Sequence, residues 1–209
     1  MTIFWDWNGT MIADVPLAIK LNNRVFAAHG YKGTNEEEYR RLMRHPVKEF
    51  YMDLGIREED FPMIAKEWNE GYIDGFGEVP LAPDVPEAVR RFHDAGFRQV
   101  IISASQQDAL RRQVALFPEL KGMFDEVLGL ADFYAVSKVQ LARDFLQRDG
   151  LDPMDAVFLG DTTHDVETAR AIGCRCYLVT GGHQCEAALR QTGVPVLGSL
   201  REIFPILGV

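Results

Sequence analysis

Short runs of apolar residues recur along the chain, and segments with helical periodicity separate them. The runs lie at residues 3–5, 99–103, 124–130, 156–160, 176–179 and 195–197. Between them, apolar residues recur every three or four positions at 85–95, 106–117, 138–148, 165–172 and 184–191. Because continuous apolar strands alternating with amphipathic helices suit a parallel sheet covered on both faces, this pattern predicts an α/β fold.

The segment from residue 14 to residue 80 differs, since no strand pattern occurs in it. Apolar residues at 17–28 have helical spacing, and Asp14 is expected to cap their helix. Further helices are predicted at 35–44, 46–55 and 58–76. We therefore predict a helical domain over this segment, inserted into a core domain formed by 1–13 and 81–209.

Polar side chains follow the apolar runs at the points where the strands end. Asp6, Ser103 and Asp161 each come at the end of a run, and Asp165 is four positions beyond Asp161. Because the carboxyl ends of parallel strands meet at one edge of the sheet, these groups are expected there together. Clustered carboxylates repel one another unless a cation joins them, and all-oxygen ligands favour Mg²⁺ over zinc.

Groups suited to an anionic ligand are expected at the same edge. Gly9 and the backbone after Ser103 offer N–H donors, and Lys138 begins a predicted helix. Carboxylates with a metal, a lysine and backbone donors are typical of phosphoryl-transfer sites, where positioning and charge neutralisation dominate catalysis.

Composition narrows the range of functions. The formal charge of −9 disfavours general binding of nucleic acid or anionic membranes. No apolar run reaches the roughly 18–20 residues of a membrane-spanning helix, and the N-terminus lacks the basic region of a signal peptide. The 3 cysteines have neither an even count nor Cys-x-x-Cys spacing, which argues against disulfides and zinc. We expect a cytoplasmic protein.

Four motifs in order resemble those of the haloacid dehalogenase superfamily of phosphatases. Residues 6–10 read Asp-Trp-Asn-Gly-Thr, Ser103 ends an apolar run, Lys138 follows, and 160–165 read Gly-Asp-Thr-Thr-His-Asp. The stretch 165–173 is similar to the phosphoglycolate-phosphatase-like branch. The resemblance covers nearly the whole chain and implies a Rossmann-like parallel-sheet core with an inserted helical cap. It also implies a small phosphorylated metabolite as partner and a monomer or homodimer.

The resemblance assigns a role to each matching residue. It implies that Asp6 attacks phosphorus and forms an aspartyl-phosphate, and that Lys138 offsets charge beside it. The implied catalytic residues are Asp6, Asn8 and Lys138. The implied Mg²⁺ ligands are Asp6, the backbone carbonyl of Asn8, Asp161 and Asp165. The implied phosphate-binding residues are Gly9, Thr10, Ser103 and Ala104.

One position departs from the family pattern. Asn8 stands where the family has a second aspartate that protonates the leaving oxygen and then activates water. An amide can do neither, and such acid–base work is typically worth about 10²–10⁴ in rate. Three readings stay open: a slow phosphatase, a phosphonoacetaldehyde-hydrolase-like enzyme that cleaves a C–P bond through a lysine Schiff base, and a phospholigand-binding protein without turnover. If the first holds, Asn8→Asp is expected to raise turnover.

The predicted cap holds a positive cluster that suits an anionic substrate. Arg44, His45 and Lys48 are the candidates for substrate contacts, and Lys48 is the first candidate for a Schiff-base lysine. A solvated helix face is the alternative. Two further choices are open from sequence. Trp7 either covers the site or packs in the core, and His164 either ligates a metal or, as we expect, faces solvent or orients a neighbour.

Overall fold

The protein is described by a computed structural model covering residues 1–130 and 137–209. The strands form one parallel sheet in the order β3-β2-β1-β4-β5-β6. They are β1 (Thr2–Trp5), β2 (Arg98–Gln106), β3 (Glu126–Leu130), β4 (Ala156–Gly160), β5 (Arg175–Val179) and β6 (Val196–Leu197). This is the strand order of doubly wound Rossmann-like sheets, so the predicted fold class is confirmed.

Both faces of the sheet are covered, as continuous apolar strands require. Along β1, Ile3 and Trp5 belong to the apolar core on one face, and Phe4 belongs to the core on the other. All three are fully buried. Helices supply the other half of each core, namely α5 (Val85–Asp94), α6 (Gln107–Val114), α7 (Lys138–Arg148), α8 (Thr163–Ile172), α9 (Glu186–Gln191) and α10 (Ile203–Leu207).

The chain between β1 and α5 forms a helical insertion, residues 15–75. Its helices are α1 (Val15–Ala28), α2 (Glu36–Leu42), α3 (Val47–Asp53) and α4 (Phe61–Gly75). They bury an apolar cluster separate from the sheet cores, and its buried members include Phe26, Tyr39, Phe50 and Ile64. None of the described helices is long and apolar enough to cross a bilayer.

The two connections to the helical insertion lie side by side. Ile12 bridges Leu81, and the Ala13 N–H donates to Pro80 O at 3.0 Å. The predicted boundaries fall at this crossing. The division into a core domain and a cap domain at these positions stays a prediction.

Two local differences from the sequence pattern bear on the site. β2 continues past Ser103 to Gln106, with an irregular register against β3 after Ile102, so α6 begins one residue later than predicted and ends at Val114. Asp14 does occupy the N-cap position of α1, but its side chain makes no capping hydrogen bond. That carboxylate is turned to the partners described below.

Candidate active site

The turn after β1 brings Asp6 to the carboxyl edge of the sheet. Its N–H donates to Leu159 O on β4 at 2.9 Å. Its side chain is buried and forms an ion pair with the Lys138 ammonium at the start of α7. Lys138 Nζ also lies 2.8 Å from Asp165 Oδ1. Three of the predicted motifs therefore meet in direct contact.

Three carboxylates gather at this point. Oxygens of Asp6, Asp161 and Asp165 all lie within 4.8 Å of one another, and the three residues are buried. Asp161 accepts hydrogen bonds from Thr10 Oγ1 at 2.9 Å and from the His183 N–H at 2.6 Å. Both contacts orient the Asp161 side chain without neutralising it.

Asp165 serves both the helix and the site. At the third position of α8, its Oδ2 accepts from the Thr162 N–H at 3.0 Å and from Thr162 Oγ1 at 2.7 Å. Its Oδ1 faces Lys138. A carboxylate in the first turn also interacts favourably with the helix dipole, so the fold holds Asp165 in one orientation.

Burial and mutual proximity shift the proton affinities of these groups. Burial raises the pKa of Asp6 well above its usual value. The Lys138 ammonium lowers this pKa, and the neighbouring carboxylates Asp165 and Asp161 raise it further. Burial likewise raises the pKa of Asp161. For Asp165 burial is outweighed by Lys138, and the pKa falls. Burial alone would lower the pKa of Lys138, but Asp165 and Asp6 raise it, so the lysine is an ammonium.

Gly9 allows the turn to pass close to Asp161. Its φ of +76° lies in the left-handed region, which side chains with a Cβ rarely adopt. A Cβ there would lie 2.3 Å from Asp161 Oδ2 and 2.6 Å from His183 Cδ2. The Gly9 N–H, predicted to face phosphate, donates to Asp14 Oδ1 at 2.9 Å. Phosphate contacts of Gly9 and Thr10 stay predictions.

The end of β2 supplies hydroxyl groups to the same edge. Ser103 is buried, and its Oγ accepts from the Ser105 N–H at 3.1 Å. Ser105 Oγ donates to Asn8 Oδ1 at 3.1 Å, and Ser103 Oγ lies 3.5 Å from the same oxygen. Ala104 between them is exposed. Ser105 is a site residue that the motif comparison did not single out.

Asn8 faces Asp14, a buried carboxylate that the sequence reading assigned only to helix capping. Asn8 Nδ2 donates to Asp14 Oδ2 at 2.9 Å and lies 2.7 Å from Tyr72 Oη. Tyr72 Oη donates to Asp14 Oδ2 at 2.6 Å. His183 Nε2 lies 3.1 Å from Asp14 Oδ1. The Asp14 carboxylate raises the pKa of His183 to about 9 although burial lowers it.

The sequence analysis did not predict that Asp14, Tyr72 and His183 belong to the site. A signal existed for His183, because the loop after the 176–179 run must emerge at the same sheet edge. Asp14 followed the pattern of an ordinary N-cap, and Tyr72 that of an ordinary apolar position on an amphipathic helix. The local sequence around Asp14 and Tyr72 therefore does not distinguish a site residue from an ordinary capping or core residue.

The helical insertion closes over this edge and contacts the loop after β5. Tyr39 Oη lies 2.8 Å from His183 Nδ1. Gln184 Nε2 donates to Met43 O at 2.8 Å, and its Oε1 accepts from the Thr163 N–H at 2.7 Å. Gln184 thus links Met43, the residue that follows α2 of the insertion, to the start of α8.

The three cap candidates have different surroundings. The His45 ring stacks on His164 at a centroid distance of 4.7 Å, which brings it next to the Asp161–Asp165 turn. Arg44 pairs with Asp53 at 2.9 Å. Lys48 pairs with Glu58 at 2.6 Å, with its side chain 46% exposed. Of the three, His45 is the one in contact with a core-side motif.

Trp7 packs in the core rather than covering the site. It is fully buried, and its Nε1 donates to Gln113 Oε1 at 3.0 Å. His164 is partly exposed, with Nδ1 3.3 Å from Glu167 Oε2.

Comparison with known proteins gives matches over most of the chain. The sequence model of the haloacid dehalogenase-like hydrolase family matches residues 3–179. Phosphoglycolate phosphatase of Synechococcus elongatus is 22% identical over 183 residues, covering 86% of this chain and 84% of that protein. Phosphoglycolate phosphatase 1 of Pseudomonas aeruginosa is 23% identical over 215 residues, covering 97% of this chain and 78% of that protein. The solved structure of a haloacid dehalogenase-like family protein of Streptococcus pneumoniae shares the fold, with a TM-score of 0.86 and 19% identity. The match covers 99% of this chain and 97% of that chain.

Proposed function

Because the chain belongs to the haloacid dehalogenase-like hydrolase family, we propose that it hydrolyses a small phosphomonoester through an aspartyl-phosphate on Asp6. The observation that carries the proposal is the contact of buried Asp6 with the Lys138 ammonium, beside two further buried carboxylates. Two relatives named as phosphoglycolate phosphatases support this reaction class. Phosphoglycolate is therefore the first substrate to test.

The residues present fit a Mg²⁺ ion. When all three are ionised, Asp6, Asp161 and Asp165 carry three negative charges, and Lys138 supplies one positive charge in contact with Asp6 and Asp165. A divalent cation would balance the remaining charge, and a donor set made only of oxygen suits Mg²⁺. We propose Asp6, Asp161, Asp165 and the Asn8 carbonyl as the groups that hold it. When bound, it would polarise the phosphoryl oxygens.

The reaction divides into two displacements. In the first, an Asp6 carboxylate oxygen bonds to phosphorus while the bond from phosphorus to the ester oxygen breaks, and that oxygen leaves with the electron pair. Since the Asn8 amide has no acidic proton, the ester oxygen departs as an anion and takes a proton from solvent after it has left the site. In the second, water oxygen bonds to phosphorus and the acyl-phosphate bond breaks, which restores the Asp6 carboxylate and releases phosphate. Lys138 holds the Asp6 oxygen and offsets charge in both steps.

Ser103 and the backbone of Ala104 are the proposed donors to the phosphoryl oxygens. The helical insertion is the proposed cap, and its contacts through Tyr39 and Gln184 support a closed position over the site. Closure would exclude water during the first displacement. His45 is the proposed cap contact with the substrate, because its ring stacks against His164 in the fourth motif.

The second displacement is the proposed slow step, because Asn8 cannot take a proton from water. Pre-steady-state kinetics with p-nitrophenyl phosphate and Mg²⁺ should give a burst of p-nitrophenol. Acid quenching followed by mass spectrometry should find one phosphoryl group on the peptide containing Asp6. Asp6→Asn should abolish both signals, and the exposed change Asp155→Asn should leave both intact. A panel of phosphoesters, phosphoglycolate among them, that gives no hydrolysis would contradict the proposal and favour ligand binding without turnover.

The phosphonoacetaldehyde-hydrolase-like reading gains no support from Lys48, which is paired with Glu58 on an exposed face. Borohydride trapping with phosphonoacetaldehyde tests it directly. We further propose a cytoplasmic protein acting as a monomer or homodimer. The unpaired cysteines Cys174, Cys176 and Cys185 are compatible with a reducing compartment.

A further inference from the structure

Asp14 is a buried carboxylate whose hydrogen-bonding capacity is filled from three parts of the chain. With 1% relative exposure, it accepts from the Gly9 N–H and His183 Nε2 at Oδ1, at 2.9 and 3.1 Å. At Oδ2 it accepts from Asn8 Nδ2 and Tyr72 Oη, at 2.9 and 2.6 Å. A carboxylate can accept at all four contacts, and it has no hydrogen to donate.

These contacts determine which way the Asn8 amide points. Asp14 Oδ2 can only accept, so the Asn8 atom next to it must be the NH₂ group. The Tyr72 hydroxyl donates its single hydrogen to Asp14, so Tyr72 Oη can only accept a hydrogen bond from Asn8 Nδ2. The Asn8 amide oxygen is therefore the atom that faces the hydroxyls of Ser103 and Ser105.

A carboxylate at position 8 would lose this match. One of its oxygens would face Asp14 Oδ2 at about the 2.9 Å of the present hydrogen bond, with two acceptors and no hydrogen between them. A hydrogen taken up to relieve the repulsion would lie between positions 8 and 14. The oxygen facing Ser103 and Ser105 would have none to give to a leaving group.

We propose that Asn8 and Asp14 are a matched pair, in which Asp14 is the positioning residue for the Asn8 amide and excludes a working carboxylate from position 8. The pairing predicts that the single substitution Asn8→Asp does not create acid–base capacity at position 8. Its catalytic consequence rests on the proposed function, whereas the pairing itself does not. The sequence alone led to the expectation that Asn8→Asp raises turnover, and the contacts of Asp14 change that expectation.

Exchanging the two side chains should preserve every hydrogen bond, and the carboxylate moves from contact with His183 to position 8. In Asn8→Asp/Asp14→Asn, the residue-14 amide oxygen accepts from the Gly9 N–H and His183 Nε2. Its NH₂ group donates to the residue-8 carboxylate and to Tyr72 Oη, which in turn donates to that carboxylate. The pair keeps its charge, and a carboxylate oxygen now faces the hydroxyls of Ser103 and Ser105.

Each single substitution should create a mismatch. Asn8→Asp sets two acceptors against each other. Asp14→Asn sets two donors against each other, either toward Asn8 or, if the amide flips, toward Gly9 and His183. We expect each single variant to lower Tm by on the order of 5 °C and the exchanged pair to return within about 2 °C of the wild type.

A double-mutant cycle tests the pairing with two readouts. Thermal unfolding is measured without Mg²⁺, and kcat and KM are measured with p-nitrophenyl phosphate and Mg²⁺. The exchanged pair should raise kcat about tenfold or more with little change in KM, whereas Asn8→Asp alone should not raise kcat. The matched controls are Asn69→Asp and Asp74→Asn on the exposed face of α4, which should change neither readout.

Strictly additive losses of Tm in the exchanged pair would overturn the pairing. So would a rise in kcat for Asn8→Asp alone that equals the rise in the exchanged pair. If Tm is restored in the exchanged pair but no variant hydrolyses any phosphoester, the pairing stands and the proposed phosphatase function fails.

Discussion

Lys138 Nζ lies 2.8 Å from Asp165 Oδ1, and both side chains are almost completely withdrawn from water. The same ammonium is paired with Asp6 across the sheet edge. One lysine therefore offsets two buried carboxylates that belong to different motifs. Since a buried charge without a partner is strongly unfavourable, the lysine has a structural role besides its proposed catalytic one.

Replacing Lys138 by Met should destabilise the protein and abolish turnover. The change keeps much of the side-chain volume but leaves Asp6 and Asp165 without their cation, which costs roughly 3–5 kcal/mol. Chemical denaturation without metal measures the loss. Lys66→Met on the exposed face of α4 is the control and should behave as wild type. Unchanged stability of Lys138→Met would mean that Asp6 and Asp165 do not depend on this ammonium.

Mg²⁺ should stabilise the folded protein through the three carboxylates. At about 100 times its dissociation constant, an ion that binds the folded state alone adds about 2.7 kcal/mol. Thermal unfolding across a Mg²⁺ series, with EDTA as the zero point, measures this. Asp161→Asn should reduce the Mg²⁺-dependent shift strongly, whereas the exposed change Asp155→Asn should leave it unchanged. A shift that persists in Asp161→Asn would place the ion elsewhere.

Comparing alanine variants at Gly9 and Gly96 separates the cost of a left-handed backbone from the cost of steric overlap by the new Cβ. The two glycines have nearly equal φ angles, +76° and +75°, but a Cβ at Gly96 meets nothing within 4 Å, whereas one at Gly9 meets Asp161 Oδ2 at 2.3 Å. Both alanine variants should lose about 1–2 kcal/mol of unfolding free energy from the left-handed backbone. Only Gly9→Ala should also lose Mg²⁺-dependent stabilisation and activity. Equal behaviour of the two variants would argue against a close approach at Gly9.

Gln184 should govern how tightly the helical insertion is held over the site. Gln184→Glu removes the donor to Met43 O but keeps the acceptor for the Thr163 N–H. Hydrogen exchange of α2 should then become faster, by about the factor of 5–10 that one lost hydrogen bond allows. The control is Gln191→Glu at the exposed end of α9. An unchanged exchange rate of α2 in Gln184→Glu would show that other contacts hold the insertion.

The main elements of the fold followed from local pattern. The apolar run at 156–160 is a strand with the predicted bounds, and the helix at 138–148 also has its predicted bounds. Such strands can be predicted from sequence because burial on both sheet faces requires an unbroken apolar run. The end of β2 could not be predicted in this way, since the irregular pairing after Ile102 depends on β3.

The sequence alone determined that Asp6, Ser103, Asp161 and Asp165 come to one edge, because the carboxyl ends of parallel strands must share it. Only the tertiary structure decided what Asp14 does. The same Asp–x–Pro pattern at the start of a helix is satisfied by capping or by distant donors, and the local chain does not distinguish them. The donors that claim Asp14 come from Tyr72 and His183, 58 and 169 positions away. A hydrogen bond between such distant positions has no periodicity along the chain, so it exists only once the sheet and the insertion have packed together.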